Sequence, residues 1–156
     1  GPFEGELAMW TGEVPEPDAR IEEVDGHDPA WQQTTAQAWL DDAIPPGQLA
    51  RPPFDPLIAL LATSSARKYI AFDREVPAAT AILWDRPDGV VLAGGATLTR
   101  SRGRGLQLAL LRRRLRDGGH GRFAIVGAMP GTTSYRNAMR VGFTPLYSTL
   151  GLRPAG

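Results

Sequence analysis

The sequence predicts an α/β domain built on a mixed, mostly antiparallel sheet with helices on both faces. Three observations predict it. The hydrophobic period switches along the chain between helical and alternating spacing. Three consecutive strand-like runs, two within Lys68–Asp85 and a third at Val90–Thr99, are joined by tight turns, so they are expected to pair antiparallel. A strand-helix-strand unit follows, and its right-handed crossover makes its two strands parallel neighbours. The expected order is β-α-α-β-β-β-α-β-α-β, with no internal repeat.

The elements follow from local signals. Residues 3–18 are rich in Glu, Pro and Gly, carry Trp10, and read as an irregular lead-in. Gly1-Pro2, without a methionine, reads as the scar of a protease site. The lead-in 1–18 is therefore set apart from a domain over residues 19–156. Ala19–Val24 is the first expected strand. Asp28-Pro29 places an N-cap before a proline at the first helical position. Trp31, Thr35, Ala38 and Trp39 then recur at helical spacing to about Leu40. Asp41–Pro53 reads as a loop, and Asp55-Pro56 repeats the cap signal ahead of Leu57, Leu60 and Leu61.

Turns at Asp73–Glu75 and Arg86–Gly89 separate the three strands. Gly94-Gly95 inside the third marks a bulge or a close backbone approach. A helix is expected from about Gly103 to Asp117. Arg122–Met129 is a short apolar run bounded by Gly and Pro, expected as a buried strand. Thr132–Gly142 reads as a short helix between a Thr cap and a terminal Gly, and Phe143–Leu152 as the last strand.

A chain of 156 residues makes one domain, which on folding buries roughly 68–70% of its unfolded surface. The absence of cysteine excludes a disulfide framework and thiolate chemistry. No apolar run reaches membrane-spanning length and no signal peptide is read at the start, so a soluble, cytoplasmic protein without a membrane partner is expected. His27 and His120 stand alone, so no metal site is expected. Without a Gly-x-Ser-x-Gly nucleophile turn, hydrolase chemistry is not indicated either.

The zero net charge hides an asymmetry. Residues 1–88 hold 16 acids and six bases, whereas residues 89–156 hold 11 arginines and one acid, Asp117. A basic half points to an anionic ligand. The run Arg112-Arg113-Arg114 with Arg116 reads mainly as a solvated helix face, because Leu108, Leu111 and Leu115 form the buried stripe. No aromatic lies between Trp84 and Phe123 to interleave that charge, so nucleic acid is not the partner indicated. A homodimer remains open.

The sharper anion signal is "RGRGLQ", Arg102–Gln107, after a strand and at the mouth of a helix. A helix N-terminus carries unpaired N–H groups and a partial positive charge, which suit a diphosphate. Glycines let the backbone approach the ligand, and arginines add charge-assisted bonds. No lysine is near enough for a P-loop. Leu108 stands where a dinucleotide fingerprint wants its third glycine, and the expected ribose-binding acid is also poorly placed.

"TLTRSRGRGLQLALL" (residues 97–111) resembles motif A of the GNAT superfamily, the acyl-CoA-dependent N-acetyltransferases. The family pattern is Arg/Gln-x-x-Gly-x-Gly/Ala. Arg102, Gly105 and Gln107 take its defined positions, with Gln107 departing from Gly/Ala, and an offset register begins at Arg100. "PGTTSYRNAMRVGF", Pro130–Phe143, resembles motif B. The resemblance covers about Ala19 to Leu152 and implies a GNAT-like fold that binds acetyl-CoA, without a metal, and acylates a small-molecule or peptide amine.

By position, the resemblance implies that backbone groups at Ala96, Thr97 and Leu98 pair with the pantetheine arm. It implies that Arg102, Gly103, Arg104, Gly105, Leu106, Gln107 and Leu108 hold the pyrophosphate, and that Ser134 and Asn137 contact the arm. Gly94-Gly95 would splay the third strand from the next one and leave a slot for the thioester. Gly131 and Ala138 stand where many members carry an Asn and the thiolate-protonating Tyr. Tyr135 and Tyr147 are the remaining phenols for that role. Glu22, Glu23, Asp73 and Glu75 are the candidate bases, undistinguished from one another. A catalytically degenerate module that binds acyl-CoA as a ligand or acts as a partner domain is the alternative reading.

Overall fold

The computed structural model describes residues 3–10, 14–16, 18–43 and 55–150. In chain order the elements are β1 (Phe3–Trp10), β2 (Ile21–Val24), α1 (Pro29–Ala43), α2 (Asp55–Thr63), β3 (Arg67–Asp73), β4 (Val76–Arg86), β5 (Gly89–Thr97), α3 (Leu106–Arg114), β6 (Phe123–Ala128), α4 (Thr133–Val141) and β7 (Thr144–Leu150). They form one seven-stranded sheet in the order β2-β3-β4-β5-β6-β1-β7. Only β5 and β6 run parallel; every other pair is antiparallel.

The local signals act as physical chemistry requires. The Asp28 carboxylate accepts from Ala30 N–H at 2.8 Å and Trp31 N–H at 3.1 Å, which starts α1. Thr132 Oγ1 accepts from Tyr135 N–H, and Gly142 ends α4 at φ 110°. Arg74 and Glu75 turn the β3–β4 hairpin with φ 50° and 67°, the twist a two-residue hairpin needs. Most of the 41–53 loop, residues 44–53, lies outside the described residues; Asp41–Ala43 continue α1.

Two faces of the sheet are covered, and strand alternation decides which residue goes where. Tyr69, Ala71, Ala79, Ala81, Leu83, Val90 and Leu92 pack with Leu106, Leu110, Leu115 and Phe143 in the core under α3 and α4. Ile70, Ile82, Phe72, Trp84 and Ala93 pack with Trp31 and Ile58 under α1 and α2.

Three expectations are corrected. First, the lead-in is not irregular: Phe3–Trp10 is a strand inserted between β6 and β7, from Gly5 opposite Ala128 to Trp10 opposite Phe123. Its composition is not strand-like, but two open strand edges lie there to receive it, and such pairing overrides propensity. The first expected strand, accordingly β2, is shortened to Ile21–Val24. Second, α3 is regular only over Leu106–Arg114 and then widens into a π turn at Leu115–Gly119. Gly118-Gly119 supports no further helix there. Third, Arg114 is not on the surface; it is 4% exposed.

β6 is interior in the sheet, yet only Ala124 and Ala128 are fully buried along it. The β5–β6 ladder consists of Val90–Ala124, Val91–Ile125 and Leu92–Val126 and goes no further. Beyond Leu92 the two strands part.

Candidate functional site

The parting of β5 and β6 coincides with the glycine pair. In the β4–β5 ladder Thr80 faces Ala96 and Ile82 faces Ala93, so Gly94 and Gly95 together oppose Ala81 alone. This is a β-bulge, and Gly94 adopts φ 63°, which glycine accepts without strain. Past the bulge, Ala96 and Thr97 remain paired with β4 only, so no strand covers their β6-facing edge, and Thr97 O accepts from Arg102 Nε at 3.4 Å.

A cleft of about 500 Å³ occupies this opening. One wall is β5, through Gly95, Ala96 and Thr97; the mouth of α3 supplies Arg102, Gly103, Gly105, Leu106, Gln107 and Leu108; α4 supplies Ser134 and Asn137. These residues are far apart in sequence, and the fold brings them to one surface. Gly103 and Gly105 have φ of 77° and 75°, and a Cβ on either would meet nothing within 4 Å. They are needed for their dihedrals, and the space above them is open. Gly105 caps α3 without any side-chain hydrogen bond, and no acid sits in the first turn. The first amides of α3 therefore have no intrahelical partner and face the cleft with the helix dipole behind them.

The turn is held from behind by two carboxylates. Asp73 Oδ2 accepts from Ser101 Oγ at 2.7 Å and Asp73 Oδ1 from Arg104 at 3.3 Å. Asp41 Oδ2 accepts from Thr99 N–H at 3.0 Å, and Gln37 donates to its other oxygen. Burial alone would raise the Asp41 carboxyl, but these hydrogen bonds outweigh it and leave it below its ordinary value.

The expected site residues divide accordingly. Ten of them line the cleft, and four do not. Leu98 is buried, donates its N–H to Ala78 and accepts Ser101 N–H, so its backbone is already engaged. Arg104 turns back to Asp73. Tyr135 packs against the core under α3 and α4, and Tyr147 is half exposed on β7. The candidate bases are engaged elsewhere. Glu22 and Glu75 pair with Arg20, Glu23 pairs with Arg67, and Asp73 holds the turn. Arg100 donates to the Pro77 carbonyl and flanks the turn.

Gln107 has a part in the site beyond its backbone. Its Nε2 donates to Thr97 Oγ1 at 3.0 Å, so the side chain spans from α3 to β5. Behind it lies a smaller cavity of about 90 Å³, sharing Gly95, Gln107, Ser134 and Asn137 with the cleft.

Sequence reasoning missed several residues. Arg140, Thr132 and Thr133 line the cleft from α4. Arg114 lines the inner cavity. Its Nε donates to Leu110 O at 3.1 Å, and Nη1 donates to Ile82 O at 2.9 Å and Ala93 O at 3.1 Å. Burial pushes its guanidinium down to about 10, so it remains a cation at neutral pH. A signal was present: Arg114 follows Leu106 and Leu110 at steps of four, on the row that faces the sheet.

Among the described residues no helix is long and apolar enough to cross a membrane, and no cluster of His, Asp and Glu could hold a metal ion.

No protein-family model matches the sequence, and no curated protein is detectably similar to it. Solved structures are similar in fold. A protein from Novosphingobium aromaticivorans assigned to the GNAT acetyltransferases superposes with a TM-score of 0.66 at 20% identity over 94% of this chain and 61% of its own. A GCN5-related N-acetyltransferase from Sphaerobacter thermophilus gives 0.62 at 16% identity over 94% of this chain and 49% of its own. A predicted acetyltransferase from Clostridium acetobutylicum, solved with acetyl-CoA, gives 0.58 at 18% identity over 86% and 95%. This chain thus spans about half to three fifths of the length of the first two. Its fold is the GNAT fold.

Proposed function

We propose that the chain is an acyl-CoA-dependent N-acyltransferase, with acetyl-CoA as donor and an amine of a small molecule or peptide as acceptor. One observation carries this reading. The glycine turn at the mouth of α3, the open edge of β5 and the Ser134–Asn137 segment of α4 line a single cleft of about 500 Å³. A diphosphate suits the uncapped amides of Leu106, Gln107 and Leu108, with Arg102 and Arg140 on the rim. A pantetheine arm suits the edge at Ala96 and Thr97 that no strand covers, where a polar chain can take the place of the long Arg102–Thr97 contact. The thioester then falls beside the Gly94-Gly95 bulge.

In the reaction, the amine nitrogen attacks the thioester carbonyl carbon, the C–S bond breaks, and the nitrogen's proton passes to solvent or to the departing thiolate. A backbone N–H at the bulge would polarise the carbonyl. On this reading β1 belongs to the domain.

A second reading, a module that binds acyl-CoA without turnover, is favoured by a specific observation: neither Tyr135 nor Tyr147 lines the cleft. Titration calorimetry with CoA and acetyl-CoA, followed by thiol release with a panel of amines, separates the two. Binding with thiol release supports the transferase, and binding without release supports the module. No heat with either ligand at millimolar concentration sinks both.

A further inference from the structure

Arg114 poses an electrostatic problem that its own contacts do not solve. A buried cation is costly, by several kcal/mol, unless an opposite charge or well-placed dipoles compensate it. Arg114 is 4% exposed. Its hydrogen bonds go to three neutral carbonyls, those of Leu110, Ile82 and Ala93. Among the described residues it forms no ion pair, and its Nη2 makes no hydrogen bond. The bulge explains part of this, since Ile82 and Ala93 flank the slip in the β4–β5 ladder and the guanidinium takes up their carbonyls. It does not explain why a cation was placed there.

The surroundings indicate what would complete it. Arg114 lines the space of about 90 Å³ that adjoins the cleft. Leu92, Leu111, Val126 and Ala138 supply apolar walls, Gln107, Ser134 and Asn137 supply polar ones, and no acid is among them. At about 90 Å³ this space is well above the roughly 10–15 Å³ that a single water needs. It has room for a carboxylate with a short carbon stem, more than the methyl of an acetyl group needs. The cavity is continuous with the cleft, past the bulge where the acyl end of a bound thioester would lie.

We propose that Arg114 reads the acyl group, and that the preferred donor is an acyl-CoA whose acyl chain ends in a carboxylate, of the malonyl or succinyl class. This rests on the reading of the cleft as an acyl-CoA site and extends its donor beyond acetyl. The distal carboxylate takes the open Nη2 of Arg114 and is unchanged by the reaction. The new C–N bond forms at the thioester carbon, CoA leaves as its thiol, and the acceptor gains an amide that carries a free carboxylate. An acceptor amine bearing its own carboxylate would offer the same chemistry. The donor is favoured because the cavity opens into the cleft through Gly95, Gln107, Ser134 and Asn137.

The test compares affinities of the full chain for acetyl-CoA, malonyl-CoA, succinyl-CoA and CoA, and repeats them with Arg114→Gln. A charge-assisted hydrogen bond gives the wild type at least about a tenfold preference for a carboxylate-bearing donor over acetyl-CoA. Arg114→Gln collapses that ratio towards one. If Arg114 only braces the bulge, the substitution weakens all donors together and the ratio stands, which overturns the proposal. Equal wild-type affinities overturn it as well, and they are readable even if the variant fails to fold. With acetyl-CoA as donor, a preference for glycine over methylamine that depends on Arg114 assigns the carboxylate to the acceptor and also overturns it. Binding of no CoA species at all would instead refute the underlying acyl-CoA reading.

Discussion

Gln107 lies against Gly95: a Cβ added to Gly95 would sit 2.7 Å from Gln107 Oε1. With its bond to Thr97, the Gln107 amide therefore crosses the region where a pantetheine arm would follow β5. On the acyl-CoA reading proposed above, the arm would have to displace it. Gln107→Ala removes one part-buried hydrogen bond, worth about 0.5–1.5 kcal/mol. The expected outcome is acyl-CoA binding about two- to tenfold tighter, with unfolding free energy changed by no more than about 1 kcal/mol. Weaker binding in calorimetry would mean that Gln107 is a ligand contact and not an obstacle.

Gly105 separates charge from backbone strain. At φ 75° with open space above it, a larger residue fits but is strained by roughly 1–2 kcal/mol. Asn tolerates this conformation best, and Glu adds a carboxylate to the same place. Gly105→Asn should fold and still bind CoA, whereas Gly105→Glu should fold and lose binding. Equal affinities for the two variants would show that no diphosphate sits on this turn.

Asp73 braces the turn from the far end of β3. Asp73→Ala leaves the hydroxyl of Ser101, which is 1% exposed, without its acceptor. The cost is about 1–3 kcal/mol. Urea unfolding should show that loss, and CoA affinity should fall with it because the turn is no longer held. Unaltered affinity at reduced stability would mean that the turn keeps its shape unaided.

Glu23 gives a pH dependence. Hydrogen bonds from Arg67 hold its carboxyl below the usual value; burial opposes them, and the charges of Arg67 and Arg113 add to them. The folded chain then binds fewer protons there than the unfolded one. This stabilisation is fully present above the ordinary value of 4.5 and is lost as pH falls through the lower, folded one. Thermal unfolding of the wild type should drop more steeply below about pH 4.5 than that of Glu23→Gln. Parallel curves would exclude the Arg67 pair as the cause.

The parts of the fold legible in the sequence are those set by local chemistry. Asp28, Thr132 and Gly142 punctuate their helices as caps do, and Gly94-Gly95 mark the bulge that opens the slot. The glycine turn was legible because the positive φ of Gly103 and Gly105 favours glycine. What escaped depends on partners distant in the chain. The eight residues of β1 carry no strand composition and take their conformation from β6 and β7. Arg114 was read with the arginines around it, and its burial was hinted at only by the row it shares with Leu106 and Leu110. No spacing could show that Leu98 spends its amide on Ala78.

The position of β1 also bears on how the molecule is assembled. Gly5 must find Ala128 and Ser148, whereas β3, β4 and β5 pair with near neighbours. Long-range pairing is entropically slow to form, since the loop it closes must be ordered before any contact rewards it. During synthesis β1 is made well before β6 and β7, its two partners in the sheet, and has to wait for both of them. The hairpins from β3 to β5 can form well before that, so the sheet is completed from one side, with β1 and β7 taking their places last.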